Sequence, residues 1–91
     1  MKILHIITGL NNGGAEGVLY RLCKYDSTAT HVVVSLMDEG KYGSLLTKEG
    51  VDVFCLNLPA GKVSISALWR LFKLIRSHNP DIVQTWLYHA D

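Results

Sequence analysis

The sequence predicts an α/β fold, a doubly wound parallel sheet of four strands in the order 3-2-1-4. Three observations point there. Short apolar runs rich in β-branched residues recur along the chain, at Ile3 to Ile7, in HVVVSLM from His31 and in VDVFCLNL from Val51. Segments between them repeat apolar residues at the three- and four-residue spacing of a helix with one buried face. Strands that alternate with helices call for right-handed parallel β-α-β crossovers.

In chain order, residues 2 to 8 form the first strand, bounded by Gly9. A first helix runs from Gly14 to Lys24, with Ala15, Val18, Leu19, Leu22 and Cys23 on its buried side. After the second strand, GSLLTKEG is a short helix closed by Gly50 in the usual C-terminal position. After the third strand, the longest helix begins at Ser64 or Ser66, either of which suits an N-cap, and turns Ile65, Leu68, Leu71, Phe72 and Ile75 to one side. Asn79-Pro80 stops it, and DIVQTW supplies the fourth strand.

Composition bounds the rest. Ninety-one residues make one domain with a modest core. A net charge of +1 does not advertise nucleic acid as a partner. Cys23 and Cys55 have no C-x-x-C spacing, so no metal or dithiol site is expected, and both read as small buried hydrophobes. The N-terminus lacks a signal-peptide cleavage site, and no apolar run approaches the ~18 residues of a membrane span. The expected compartment is the cytoplasm.

Gly9, Gly13, Gly14 and Gly17 crowd the junction between the first strand and the first helix. They fit neither the dinucleotide fingerprint nor the Walker loop, which would need Lys-Ser/Thr where Ala15-Glu16 stand. Glycines at a helix N-terminus still let backbone N–H groups approach an anion. Gly13 and Gly14 are therefore the candidate anion-binding residues, the other reading being a tight turn. Glu16 in the first turn also suits the helix dipole as a cap. A flavodoxin-like, stand-alone phosphate- or nucleotide-binding module is the alternative in another class, although only Thr8 in this loop carries a hydroxyl.

Taken together, KILHIITGLNNGGAEGVLYRL, HVVVSLMDEG, LLTKEGVDVFCLNL and HNPDIVQTWLYHAD closely resemble the N-terminal domain of family 4 retaining glycosyltransferases of the two-domain GT-B type. The segment Gly13-Gly14-Ala15-Glu16 is similar to that family's G-G-A/T-E loop, and PDIVQTW to its P-D-V-V-H-x-H strand. The resemblance implies an acceptor-side, Rossmann-like half-domain over residues 1–91, incomplete on its own, whose donor-binding C-terminal domain lies outside this chain. It further implies transfer of a sugar from a nucleotide-diphosphate donor, with retention and without metal or cofactor, to a cell-envelope polysaccharide or lipid-linked acceptor. Gly13 and Gly14 would face the donor phosphates. Glu16 and His89 are the candidate acceptor contacts, His89 by its position past the carboxyl end of the fourth strand, its other reading being a solvated histidine. No catalytic residue carries over.

Gln84 and Trp86 stand where many family members have His, so no role of those histidines transfers. Asp38 lies where a ribose would be held, but Asp-Glu-Gly is also ordinary turn chemistry. Arg70, Lys73 and Arg76 recur opposite the apolar stripe of the long helix, with Lys62 and Trp69 close by. This describes either a solvated face or a peripheral contact with the inner face of a membrane. A fourth strand without a further neighbour would leave Ile82, Val83 and Trp86 partly in water, and the chain is expected to self-associate there.

Overall fold

The computed structural model of the chain describes residues 1–10, 14–58 and 64–86. Its elements are β1 (Lys2–Ile7), α1 (Gly14–Tyr25), β2 (Thr30–Ser35), α2 (Gly40–Lys48), β3 (Asp52–Cys55), α3 (Ile65–His78) and β4 (Ile82–Trp86). The four strands make one parallel sheet in the order β3-β2-β1-β4, the arrangement predicted from the sequence. The strands are shorter than the apolar runs suggest. Ladder-like bonds continue past them, from the Leu36 amide to the Ile7 carbonyl and from the Leu58 amide to the Leu36 carbonyl, 2.9 Å each.

Side chains alternate across a pleated sheet, and here the alternation divides the core in two. Leu4, Ile6, Val32, Val34 and Leu56 face α3, whose Leu71, Leu74 and Ile75 pack on them. Ile7, Val33 and Val51 face the other way and share a cluster with Leu19 and Cys23 of α1 and Leu46 of α2. Buried on both faces, β1 and β2 need the near-continuous apolar runs that the sequence supplies.

Local chemistry sets the helix ends. The Ser64 hydroxyl accepts from the Ala67 amide at 3.2 Å, which settles the N-cap of α3 on Ser64. Asn79 ends that helix in the left-handed conformation, φ 47°, just before Pro80. α2 begins at Gly40, three residues ahead of the predicted start, and closes in a Schellman motif. Gly50 at φ +84° lets its own amide reach the Thr47 carbonyl at 3.0 Å and the Val51 amide reach that of Leu46 at 3.1 Å. Where β4 meets β1, the Asp81 carboxylate accepts the Lys2 amide, the Asp81 amide donates to the Lys2 carbonyl, and Lys2 Nζ reaches the His78 carbonyl, each at 2.8 Å.

Two helix faces differ from expectation. On α1 the buried residues are Glu16, Gly17, Leu19 and Cys23, while Val18 and Leu22 are exposed. On α3 the inward side carries Ala67, Leu71, Leu74 and Ile75, and Ile65, Leu68, Trp69 and Phe72 point to solvent. The reason is the same in both. Each helix is apolar around more than one stripe, so periodicity alone does not say which stripe meets the sheet. The outward stripe of α3 is organised: the Trp69 and Phe72 rings stack with centroids 5.9 Å apart, and Lys73 and Arg76 lie over them at 5.7 Å. Arg70 turns back instead and donates to the Leu56 carbonyl at 3.2 Å.

β4 is an edge strand with Ile82 and Val83 exposed, as anticipated, whereas Trp86 packs against the core. An open parallel edge beside an apolar helix face is a template for a second chain. Sedimentation equilibrium should therefore show a dimer or larger species at near-millimolar concentration. A single 10.1 kDa species there would contradict this reading of the edge.

Candidate functional site

Ligands of doubly wound sheets bind beyond the carboxyl ends of the strands, at the point where strand order reverses. Here that point lies between β1 and β4. Gly14 opens α1 beside it, and a Cβ built on Gly14 meets nothing within 4 Å among the described residues. Packing among the described residues thus supplies no reason for a glycine at this position. Gly9 is closer to its surroundings, since a Cβ built on it would lie 3.4 Å from the Met37 sulfur. Glu16 is buried in the first turn of α1. Gly13, Lys62 and His89 lie outside the described residues.

The loop after β2 is built as a turn. The Ser35 hydroxyl donates to the Asp38 carbonyl at 2.9 Å and accepts the Met37 amide at 3.2 Å, leaving the Asp38 side chain exposed. The first turn of α2 joins the same edge, its Tyr42 amide donating to the Leu10 carbonyl at 2.9 Å.

Beneath α1 lies a second polar arrangement, which runs through the core. His5 on β1 and His31 on β2 are buried with their rings edge to edge, centroids 5.1 Å apart and planes 21° from parallel. His5 Nε2 is 2.8 Å from His31 Nδ1, and His31 Nε2 is 2.9 Å from Asp26 Oδ2. At the other end, Trp86 Nε1 donates to His5 Nδ1 at 2.9 Å. An indole N–H only donates and a carboxylate only accepts. The protons of the chain are fixed by these two ends: His5 Nδ1 is bare, His5 Nε2 donates to His31 Nδ1, and His31 Nε2 donates to Asp26. Thr28 completes it, offering its amide and hydroxyl to Asp26 Oδ1. Among the described residues, every buried side-chain nitrogen and oxygen has a partner.

Burial, and secondarily the neighbouring His31, lowers the pKa of His5 to about 4. The hydrogen bonds from Thr28, ahead of the contact with His31, hold the Asp26 carboxyl below its ordinary range.

Cys23 on α1 brings a thiol to the histidine pair, and the ligand atoms of His5, Cys23 and His31 lie within 4.8 Å of one another. Such a donor set would suit zinc, but its chemistry here does not. Ligand nitrogens on a tetrahedral zinc stand about 3.3 Å apart, wider than the 2.8 Å hydrogen bond that occupies the space. Metal at His5 Nε2 would leave the ring proton on Nδ1, against the indole N–H. Burial, and then Asp26, also pushes the Cys23 thiol up to about 12, far from the thiolate a metal needs. The cluster is built around a shared proton.

Compared with family models, curated proteins and solved structures, the chain gives no match in any of the three.

The sequence singles out neither His5 nor His31, and it presents Trp86 as a departure from a motif and as a partly exposed edge residue. A signal was present in parity: positions 5, 31 and 86 all fall on the α1 side of their strands once register is known. His31 pairs with Ile3 rather than His5, and Trp86 with Ile7, so the contacts are diagonal. Sequence spacing does not show them.

Stability should depend on pH through this group. The unfolded chain protonates His5 near 6.5, whereas the folded chain resists until about 4. The stabilisation is therefore complete above 6.5 and is lost as the pH falls from 6.5 to 4, on the order of 3 kcal/mol. Asp26 acts lower, its contribution being lost only below its unfolded value of 3.8. Urea denaturation at pH 7.5 and 4.5 should show this loss in the parent and a much smaller one in His5→Gln. Equal losses in the two proteins would assign the effect to other groups.

Proposed function

We propose that the chain is the acceptor-side part of a glycosyltransferase, moving a sugar from a nucleotide-diphosphate donor, with retention, to a cell-envelope polysaccharide or glycolipid. The observation that carries this reading is the placement of two segments at one edge. The Gly14-Ala15-Glu16 segment opens α1 after β1, and PDIVQTW forms β4 alongside β1, so both motifs that resemble the family's flank the switch point of the sheet.

The chemistry at that edge suits a diphosphate. The first amides of a helix have no intrahelical acceptor and form the positive end of its dipole. Gly14 has no side chain of its own to cover them, and a Cβ built there meets nothing within 4 Å among the described residues. On this reading Glu16, buried in the same turn, would be a contact for the sugar acceptor.

Lys73 and Arg76, with the exposed Trp69 and Phe72, give α3 the aromatic and cationic surface of a peripheral contact with a membrane's inner face. Arg70 is committed to the Leu56 carbonyl and takes the smaller share of it. No helix among the described residues is long and apolar enough to cross a bilayer.

Inorganic phosphate or uridine diphosphate, titrated into the ¹⁵N-labelled chain, should shift the amide signals of residues 14 to 16 before others. Gly14→Val should abolish the shifts with little change in melting temperature, since a Cβ at this position meets nothing within 4 Å among the described residues. Shifts unchanged in the variant would make the loop a packing device and remove the support for a donor edge. Binding of flavin in place of these anions would favour the stand-alone module.

A further inference from the structure

We propose that the buried chain from Trp86 through His5 and His31 to Asp26 is a proton-operated latch on β4: while the histidine pair holds two protons the indole is fastened to β1, and a third proton expels it.

The inference follows from counting positions for protons. The pair has four ring nitrogens. His5 Nε2 and His31 Nδ1, 2.8 Å apart, can share one proton but not hold one each. His31 Nε2 carries the second, directed at Asp26. A third has only His5 Nδ1 to occupy, whichever ring is nominally the cation. That nitrogen faces the Trp86 N–H at 2.9 Å. Two N–H groups then oppose each other, and the indole has no lone pair with which to accept. The contact is broken rather than weakened.

The other groups facing the pair do not relieve this conflict. Cys23, from α1, stays a neutral thiol over the whole acidic range, its pKa standing at about 12. Asp26, from the α1–β2 connection, holds a proton only below its own lowered range and already accepts from His31 and Thr28. Among the described residues β4 contributes the indole alone, and α3 packs on the opposite face of the sheet. Trp86 is also the β4 side chain that packs into the α1-side core. Releasing it loosens the carboxyl end of β4, where the sheet's ligand edge lies, while the Asp81–Lys2 clamp at the other end of the strand is untouched. The latch does not depend on what that edge binds.

Trp69 and Trp86 are the two tryptophans, so Trp69→Phe makes the remaining indole emission report on the latch alone. In this variant, acidification from pH 7 should shift the Trp86 emission and expose its indole N–H to solvent exchange at a higher pH than the loss of far-UV circular dichroism. Adding His5→Gln, whose amide both accepts and donates but does not titrate, should abolish the early step. Trp86→Phe, followed by imidazole NMR, should move the His5 titration upward from about 4. The proposal is overturned if the indole is released only together with the secondary structure, or if the His5 midpoint is unchanged in Trp86→Phe. Quenching of the early step by equimolar zinc at neutral pH would equally overturn it, by showing that the cluster takes a metal instead.

Discussion

A single donor-only group, the indole N–H of Trp86, orders the protons of a polar chain that crosses the core. Imidazoles buried under a helix are costly unless each nitrogen finds a partner of opposite character. Here both do, because a donor closes one end and the Asp26 carboxylate the other. The result links four parts of the chain, β4, β1, β2 and the connection from α1, through side chains. It does so on the sheet face where α1 and α2 pack. Replacing one member would leave its neighbour unsatisfied in a place water does not reach, which costs about 1–3 kcal/mol for a neutral group. The same proton order closes the cluster to metal, despite a thiol and two imidazoles within reach of one another.

The opposite face is held differently. Leu71, Leu74 and Ile75 of α3 rest on an aliphatic layer from β1, β2 and the end of β3, with no buried polar network on this face among the described residues. Arg70 adds a bond to the Leu56 carbonyl that pins the helix to the end of β3. The helix has a second apolar stripe left over, and its rings are stacked on each other and covered by cations instead of by the sheet. Together with the open edge at β4, this makes one side of the molecule well packed and the other receptive.

Much of the fold was legible because its signals are local. Valines 32 to 34 make a strand with little competition, Gly50 and Asn79 stop helices through their left-handed conformations, and Ser64 caps by its hydroxyl. Strand order followed from the handedness of crossovers. The helix faces were not legible, because Val18, Leu22, Ile65 and Phe72 are as apolar as the residues that packed in their place. Of the candidate site, the sequence marked the glycine at the start of α1 and missed the histidines. Gly14 advertises itself by composition, whereas His5 and His31 meet only through a two-residue offset in the β1–β2 register. Asp26 and Trp86 acquire their roles from that meeting.

The proton order of the buried chain is the claim on which the account stands, and the nitrogens of the imidazoles report it directly. Long-range ¹H–¹⁵N correlation spectra at neutral pH, with His5→Gln and His31→Gln to assign the signals, should show both rings neutral, protonated at Nε2 and bare at Nδ1, with a slowly exchanging Trp86 indole proton. A His5 ring protonated at Nδ1, or one that titrates at the ordinary histidine value with the indole still in place, would contradict it.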